Sequence, residues 1–470
     1  MNKYKYLLKN IGLLTISNFG SKILSFLIVP LYTAILTTEE YGTFDLLNTT
    51  ISLLIPICTL NICEATLRFT LEKNADKKVV FSESMKIICI SVLIIVAAAM
   101  LNEKFTFSSL LKTYSVEFVL LYISTLLYTF FSNFARGVDK VSVVAVAGII
   151  NTMTILGLNV LFLVALGWKL EGYFAAMILG SIIPSIYMFI SLRAWKYIAF
   201  SIKDTSIVRG MLKYSVPLVA NAVAWWVNSA LDRYVIVWIC GVAANGIYSV
   251  SYKIPSILNI LSNIFNQAWV LSSVKAYERD DEQGFFARTY ETYNMILVFA
   301  CSGLIILTKI FSRLLFAKDF YNAWSYVPFL LISVIFGAMS GFVGGIFSAV
   351  KDSKIYATST SIGAIVNFIL NIVLVSQYGP IGAAAATLIS YFVVWVVRML
   401  TVKKYIKLRI DFRMNIIGYI GLLLQAVVLI VVDNAFLYPI EIIVFIILLF
   451  NFRKPLIEML SVIKNRSNNN

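Results

Sequence analysis

The chain has 470 residues, of which 60% are apolar and only 13% charged, with a mean hydropathy of +0.86. A string of soluble domains is excluded; at about 20 residues per helical span, the apolar content supplies roughly fourteen spans. The net charge of +15 reads as basic loops on one side of a polytopic membrane protein, not as a nucleic-acid surface.

Lys3, Lys5 and Lys9 precede an apolar run from Ile11 to Leu36. The run is too long for a signal-peptide core and lacks a small-residue cleavage site, so it reads as a retained first span. Thirteen further spans follow, at about 42–67, 83–101, 116–135, 142–166, 172–192, 213–239, 245–270, 291–310, 324–350, 356–376, 380–400, 414–432 and 435–452. Apolar runs this long exclude a β-barrel, whose strands alternate in segments of about ten residues. The Ser467–Asn470 tail is polar and reads as disordered. With both ends on the cytoplasmic side, 29 of the 39 Lys and Arg fall in cytoplasmic segments, Arg398 counted among the six after the twelfth span. Six fall outside, and Lys22, Lys86, Arg233 and Lys253 lie within spans. That asymmetry supports the orientation.

Weak self-similarity links the two halves. A shift of 204 residues lays Leu8-Lys9 on Leu212-Lys213 and Gly42 on Gly246; a shift of 212 lays Leu158-Asn159 on Leu370-Asn371. Six spans separate the copies, so they share one orientation, the plan of many carriers. The expected architecture is an all-α integral membrane fold of about 14 helices. Residues 1–205 and 206–402 form two six-helix lobes around a central cavity, and 403–470 add two helices and a cytoplasmic tail.

Enzymatic chemistry finds little support. The sequence has no P-loop and no GxSxG elbow, and no histidine at all. The five cysteines, Cys58, Cys63, Cys89, Cys240 and Cys301, lie in apolar runs without ligand spacing. No metal and no cofactor is expected. Asp280-Asp281-Glu282 reads as a solvated loop.

Ionisable residues inside spans are costly, and they face a cavity or a partner. Lys22 lies thirteen residues past Lys9, about 20 Å along a helix. Asn18, Ser21, Lys22 and Ser25 share one face. In the seventh span Asn221, Asn228 and Asp232 recur, with Arg233 beside them. The eighth carries Lys253, Ser256, Asn259, Asn263, Asn266 and Gln267, and the second carries Asp45, Asn48, Thr49 and Ser52, then Glu64 and Arg68. Polar stripes on these four spans suggest a hydrated cavity. Glu64 and Arg68 also suit a plain i, i+4 ion pair, and Asp232 suits neutralisation of Arg233 or Lys253. Gly337, Gly341 and Gly345, with Gly344 beside them, read as a close helix contact. Pro30, Pro56, Pro217 and Pro255 mark bends in the same four spans.

The opening Lys9-Asn10, Asn18-Phe19-Gly20-Ser21-Lys22, Val29-Pro30-Leu31-Tyr32 and Glu40-Tyr41-Gly42-Thr43-Phe44 resembles the polysaccharide-export flippases (Wzx-type). These share a superfamily with multidrug extruders and the lipid II flippase. The resemblance covers the whole chain in length, span count and two-half plan, and its residue motif is confined to the first two spans. It implies translocation, by alternating access, of undecaprenyl-diphosphate-linked oligosaccharide repeat units of O-antigen or capsule type. They would move from the cytoplasmic to the outer leaflet of the bacterial inner membrane. Membrane lipids and a polysaccharide polymerase are the implied partners. On this reading Lys22, Arg233 and Lys253 attract the headgroup and Asn18, Asn228, Asn259 and Asn263 line the path. Asp45, Glu64, Arg68 and Asp232 are coupling or salt-bridge candidates. A cation-coupled multidrug extruder is the alternative. It would want carboxylates rather than deep lysines. A membrane-embedded enzyme of polysaccharide synthesis is the third reading, weakened by the missing catalytic motifs.

Overall fold

A computed structural model describes residues 26, 28–72, 76–199, 205–277, 281, 282, 284–350 and 352–467. The fold is all-α. Its helices are α1 (Val29–Ile35), α2 (Thr38–Cys58), α3 (Ile62–Thr70), α4 (Lys77–Phe105), α5 (Ser109–Thr113), α6 (Ser115–Gly137), α7 (Val141–Asn159), α8 (Lys169–Ser191) and α9 (Thr205–Cys240). Then come α10 (Val242–Ser251), α11 (Lys253–Ala276), α12 (Phe285–Leu315), α13 (Val327–Ala349), α14 (Ser353–Tyr378), α15 (Pro380–Val402), α16 (Phe412–Val431), α17 (Leu437–Asn451) and α18 (Arg453–Ser467). The chain divides into two compact units, residues 1–230 and 231–470, with the boundary inside α9.

Among the described residues nine helices are long and apolar enough to cross a membrane, or ten if α2 and α3 form one bent span. Fourteen were expected. The first expected span lies mostly outside the described residues, and the fourteenth, α17, has only 15 residues. The seventh and eighth correspond to α9 and to α10 with α11. α9 has 36 residues and α11 has 24, so polarity and not length keeps them off that tally. These are two of the spans on which the sequence places polar stripes.

Local chemistry sets the breaks. A capping box starts α2: Thr37 Oγ1 accepts from the Glu40 amide at 3.1 Å, and Glu40 Oε2 accepts from the Thr37 amide at 2.7 Å. α2 and α3 meet at 58°. Pro56 precedes the bend, and Leu60 and Asn61 adopt left-handed φ of 52° and 55°. Pro217 sits inside an unbroken α9, whereas Pro255 stands in the first turn of α11, just past the break at Tyr252. α7 runs on as a π-helical turn over Val160–Ala165. A further helix, α18, occupies Arg453–Ser467, in the segment the sequence reads as a cytoplasmic tail, and residues 468–470 lie outside the described residues.

In the first unit, α8 packs against α6 and α7, and α3 against α6. The residues of the opening motif meet there. Tyr32 stacks on Tyr41 at 4.7 Å, and Tyr173 and Phe44 pack edge-on at 4.6 Å. In the second unit α13 is the hub, flanked by α11, α12 and α15. Its glycines admit large neighbours. A Cβ on Gly345 would meet the Trp269 indole, whose Nε1 donates to the Phe342 carbonyl at 2.8 Å. A Cβ on Gly344 would meet the Tyr356 ring.

α14 hands over to α15 through Gly379, whose φ of +64° lies in the left-handed region. A Cβ on Gly382 would collide with the Leu374 carbonyl, which is backbone and cannot rotate away. Gly382→Ala is therefore expected to lower stability by about 1–3 kcal/mol, read as a reduced thermal midpoint of the detergent-solubilised protein. An unchanged midpoint would show that the hairpin gives way freely.

Candidate functional site

Asp232 lies on the part of α9 that belongs to the second unit, and it is 3% exposed. Its Oδ2 accepts from the Tyr248 hydroxyl at 2.6 Å and from the Tyr252 hydroxyl at 2.8 Å. Its Oδ1 accepts from the Arg233 amide at 3.0 Å and lies 3.8 Å from the Arg233 guanidinium. That guanidinium also sits 5.0 Å from the centre of the Tyr252 ring. The cluster is anchored in apolar packing: Val235, Ile236, Tyr248, Leu330, Val375, Ala383 and Ala384 form one core, with Tyr252 against it. The break between α10 and α11 falls at Tyr252. Lys253 follows immediately, so the break brings three expected site residues, Asp232, Arg233 and Lys253, to one end of α11.

Lys253 is half-buried and makes no ion pair among the described residues. From it α11 shows two faces. Ile254, Leu258, Ser262 and Trp269 are buried, whereas Asn259 and Asn263 are exposed. Exposed amides on a membrane helix need water or a polar ligand. In the first unit Asn228 is half-buried and donates to the Ala224 carbonyl at 3.0 Å. Trp226 donates its Nε1 to the Thr49 carbonyl at 3.0 Å, tying α9 to α2. A groove of about 550 Å³ along the start of α9 is lined by Arg209 and Lys213 with Thr205, Val208, Leu212 and Val216.

The other expected residues are dispersed. Asp45 is half-buried on α2. Glu64 is exposed on α3, and Arg68 pairs with Glu72 at 3.3 Å. Both i, i+4 partners were available to Arg68, and the one nearer the end of α3 holds it. Lys22 and Asn18 lie outside the described residues.

Residues 7–273 match the family described as polysaccharide biosynthesis protein, more than half of the chain. The chain belongs to this family. It is 24% identical over 268 residues to the probable low-salt glycan biosynthesis flippase Agl15 of Haloferax volcanii, a match covering 55% of this chain and 54% of that protein. The chain thus spans about half the length of the curated relative it matches. Among solved structures it resembles the lipid II flippase MurJ in an inward closed conformation, with a TM-score of 0.69 and 18% identity, covering 95% of this chain and 99% of that one. It also resembles an inward-facing multidrug resistance MATE family transporter, with a TM-score of 0.67 and 12% identity, covering 81% and 93%. The two likenesses establish the fold.

Within this member of the polysaccharide biosynthesis family, further buried charges among the described residues lie outside the site residues proposed from sequence. Arg398, counted there among the cytoplasmic charges, is instead 3% exposed within the bundle. It donates to Ser359 Oγ at 2.9 Å, the Ser340 carbonyl at 2.8 Å and Thr360 Oγ1 at 3.0 Å, and it stacks on Tyr356 at 4.1 Å. Lys86 pairs with the buried Glu83 at 2.7 Å; the i, i+3 spacing was the available signal. Glu441 is fully buried, and its only signal was an acid inside an apolar run. Where the chain leaves the bundle, the Tyr405 hydroxyl donates to Asp352 at 2.7 Å. That bond, with the Ile355 amide, holds the Asp352 carboxyl below the usual carboxylate range.

Proposed function

We propose that this protein flips an undecaprenyl-diphosphate-linked oligosaccharide repeat unit from the cytoplasmic to the outer leaflet of the bacterial inner membrane. The product would feed a surface polysaccharide of O-antigen or capsule type and its polymerase. The family supports the glycan setting. The observation that carries the reading is Lys253, which makes no ion pair among the described residues and heads a helix that exposes Asn259 and Asn263. A cation so placed suits a diphosphate, and exposed amides suit sugar hydroxyls. Lys22 and Arg233 would add charge, and alternating access would carry the headgroup across while the prenyl chain stays in lipid. A cationic drug would need an available carboxylate. Asp232 already accepts two tyrosine hydroxyls and faces Arg233, so this carboxylate is occupied.

The test is leaflet-resolved analysis of lipid-linked oligosaccharide in cells lacking the gene, complemented with wild type, Lys22→Ala, Lys253→Ala or Lys253→Arg. Without the gene, the complete repeat unit should accumulate on the cytoplasmic leaflet. A hydrogen bond to a charged group is worth about 1.5–3 kcal/mol, so each alanine variant should export roughly 10- to 100-fold less at equal protein level. Lys253→Arg should recover most of the loss. Unchanged lipid intermediates on deletion would end the flippase reading for that glycan.

A further inference from the structure

We propose that Glu441 is a proton-binding site built into the C-terminal helix pair, apart from the cations assigned above to the substrate. α16 and α17 pack on each other and on α12, and polar side chains run along their contact. Asn294 donates to Asn415 at 2.6 Å and accepts from the Tyr419 hydroxyl at 3.0 Å. Ser302 donates to Gln425 Oε1 at 2.7 Å, and Gln425 Nε2 donates to the Glu441 backbone carbonyl at 3.3 Å. Lys309 pairs with Asp433 at 3.1 Å. Each side chain in this ladder has a polar partner until Glu441. That residue is 0% exposed, and neither of its carboxyl oxygens has a hydrogen-bond partner among the described residues.

Among the described residues no charge is positioned to compensate it. On α12, Lys309 is held by Asp433 and lies 4.5 Å from the centre of the Trp324 ring, and Arg313 is hydrogen-bonded to Tyr321. Cys301 is buried and offers no positive charge. Arg288, Tyr290, Glu291 and Tyr293 start α12, nine or more residues and about 14 Å before Ser302. On α16, Tyr419 is spent on Asn294 and Arg413 sits in the first turn. Tyr438 on α17 is exposed. Arg453, Lys454 and Glu458 of α18 follow the far end of α17 and are exposed.

An ionised carboxylate in this position would have lost its water and gained no counter-ion, with only the Gln425 amide near it among the described residues, which costs several kcal/mol or more. A neutral carboxylic acid loses one donor and one acceptor, a far smaller penalty. The ligand that makes the site tolerable is therefore a proton. Its uptake would let α17 seat against α12 and α16, and its release would put an unpaired charge at that seam. This assignment does not depend on the glycan reading and survives its failure.

Infrared difference spectroscopy of the purified full-length protein, wild type minus Glu441→Gln at neutral pH, tests it. The expected difference is one protonated-carboxyl C=O stretch present only in wild type. A pair of carboxylate bands in its place overturns the proposal. Dicyclohexylcarbodiimide gives a second readout, because the acid O–H adds across a C=N bond and the acyl group then migrates to nitrogen, so every atom is kept in a stable N-acylurea. Peptide mass spectrometry should find Glu441 labelled at about pH 7 and at least about tenfold less at about pH 10, with the model-peptide range for a glutamate near 4 as the contrast. Labelling equal at both values would also overturn it. If Glu441→Gln yields no protein, Glu441→Met supplies the same spectroscopic subtraction.

Discussion

Asp232→Ala is expected to lower stability by about 3–5 kcal/mol and to abolish the protein's activity in cells, whereas Asp232→Asn should cost well under half as much. One carboxylate oxygen receives both the Tyr248 and Tyr252 hydroxyls, and the other faces the Arg233 amide and guanidinium. Alanine removes the common acceptor from two tyrosines packed in an apolar core. Asparagine keeps an acceptor oxygen on the same stem and gives up the charge. Thermal midpoints of the detergent-solubilised variants measure the difference. A double-mutant cycle between Asp232→Asn and Tyr248→Phe should return a coupling of about 0.5–3 kcal/mol. An alanine variant within about 0.5 kcal/mol of wild type would show that the cluster contributes nothing to the fold.

The sequence made the membrane class and most helices legible because one physical requirement, an apolar run long enough to span hydrocarbon, is written residue by residue. α4, α6, α8 and α12 to α16 sit where those runs sit. Their ends were blurred: α4 begins at Lys77, not near 83, because Asp76 accepts from the Lys78 and Val79 amides. The Asp232 carboxylate was visible as a charge in a span. Its tyrosine partners were not, since residues 16 and 20 positions on carry no helical register with it. Lys253 was visible too, but its place at a helix break was only hinted at by Pro255. Arg398 misled for a physical reason. An arginine one turn from a span's end snorkels as easily as it packs, and only its neighbours on α13 and α14 decide which. Glu441 was passed over because the hydropathy of its surroundings hid it, and that same surrounding makes its chemistry unusual.

Arg398 allows an order of variants to be stated that charge conservation alone would invert. Arg398→Lys is expected to be more destabilising than Arg398→Met, with a loss of about 3 kcal/mol or more for lysine and about 1–2 kcal/mol for methionine. The guanidinium spreads its donors to Ser359 on α14, the Ser340 carbonyl on α13 and Thr360 on α14 while its face lies on Tyr356. No carboxylate pairs with it among the described residues. It therefore tolerates burial by geometry, through a planar fork matched to several neutral acceptors. An ammonium keeps the full charge, loses the fork and cannot stack in the same way, so it retains the desolvation cost and gives back most of the compensation. Methionine gives up the hydrogen bonds but also removes the buried charge, and it fills much of the same volume beside Gly344, whose missing Cβ leaves room for the guanidinium. Thermal midpoints of the two variants decide the matter. If lysine proves as stable as wild type, then the positive charge itself, rather than the arrangement of its donors, holds α13, α14 and α15 together.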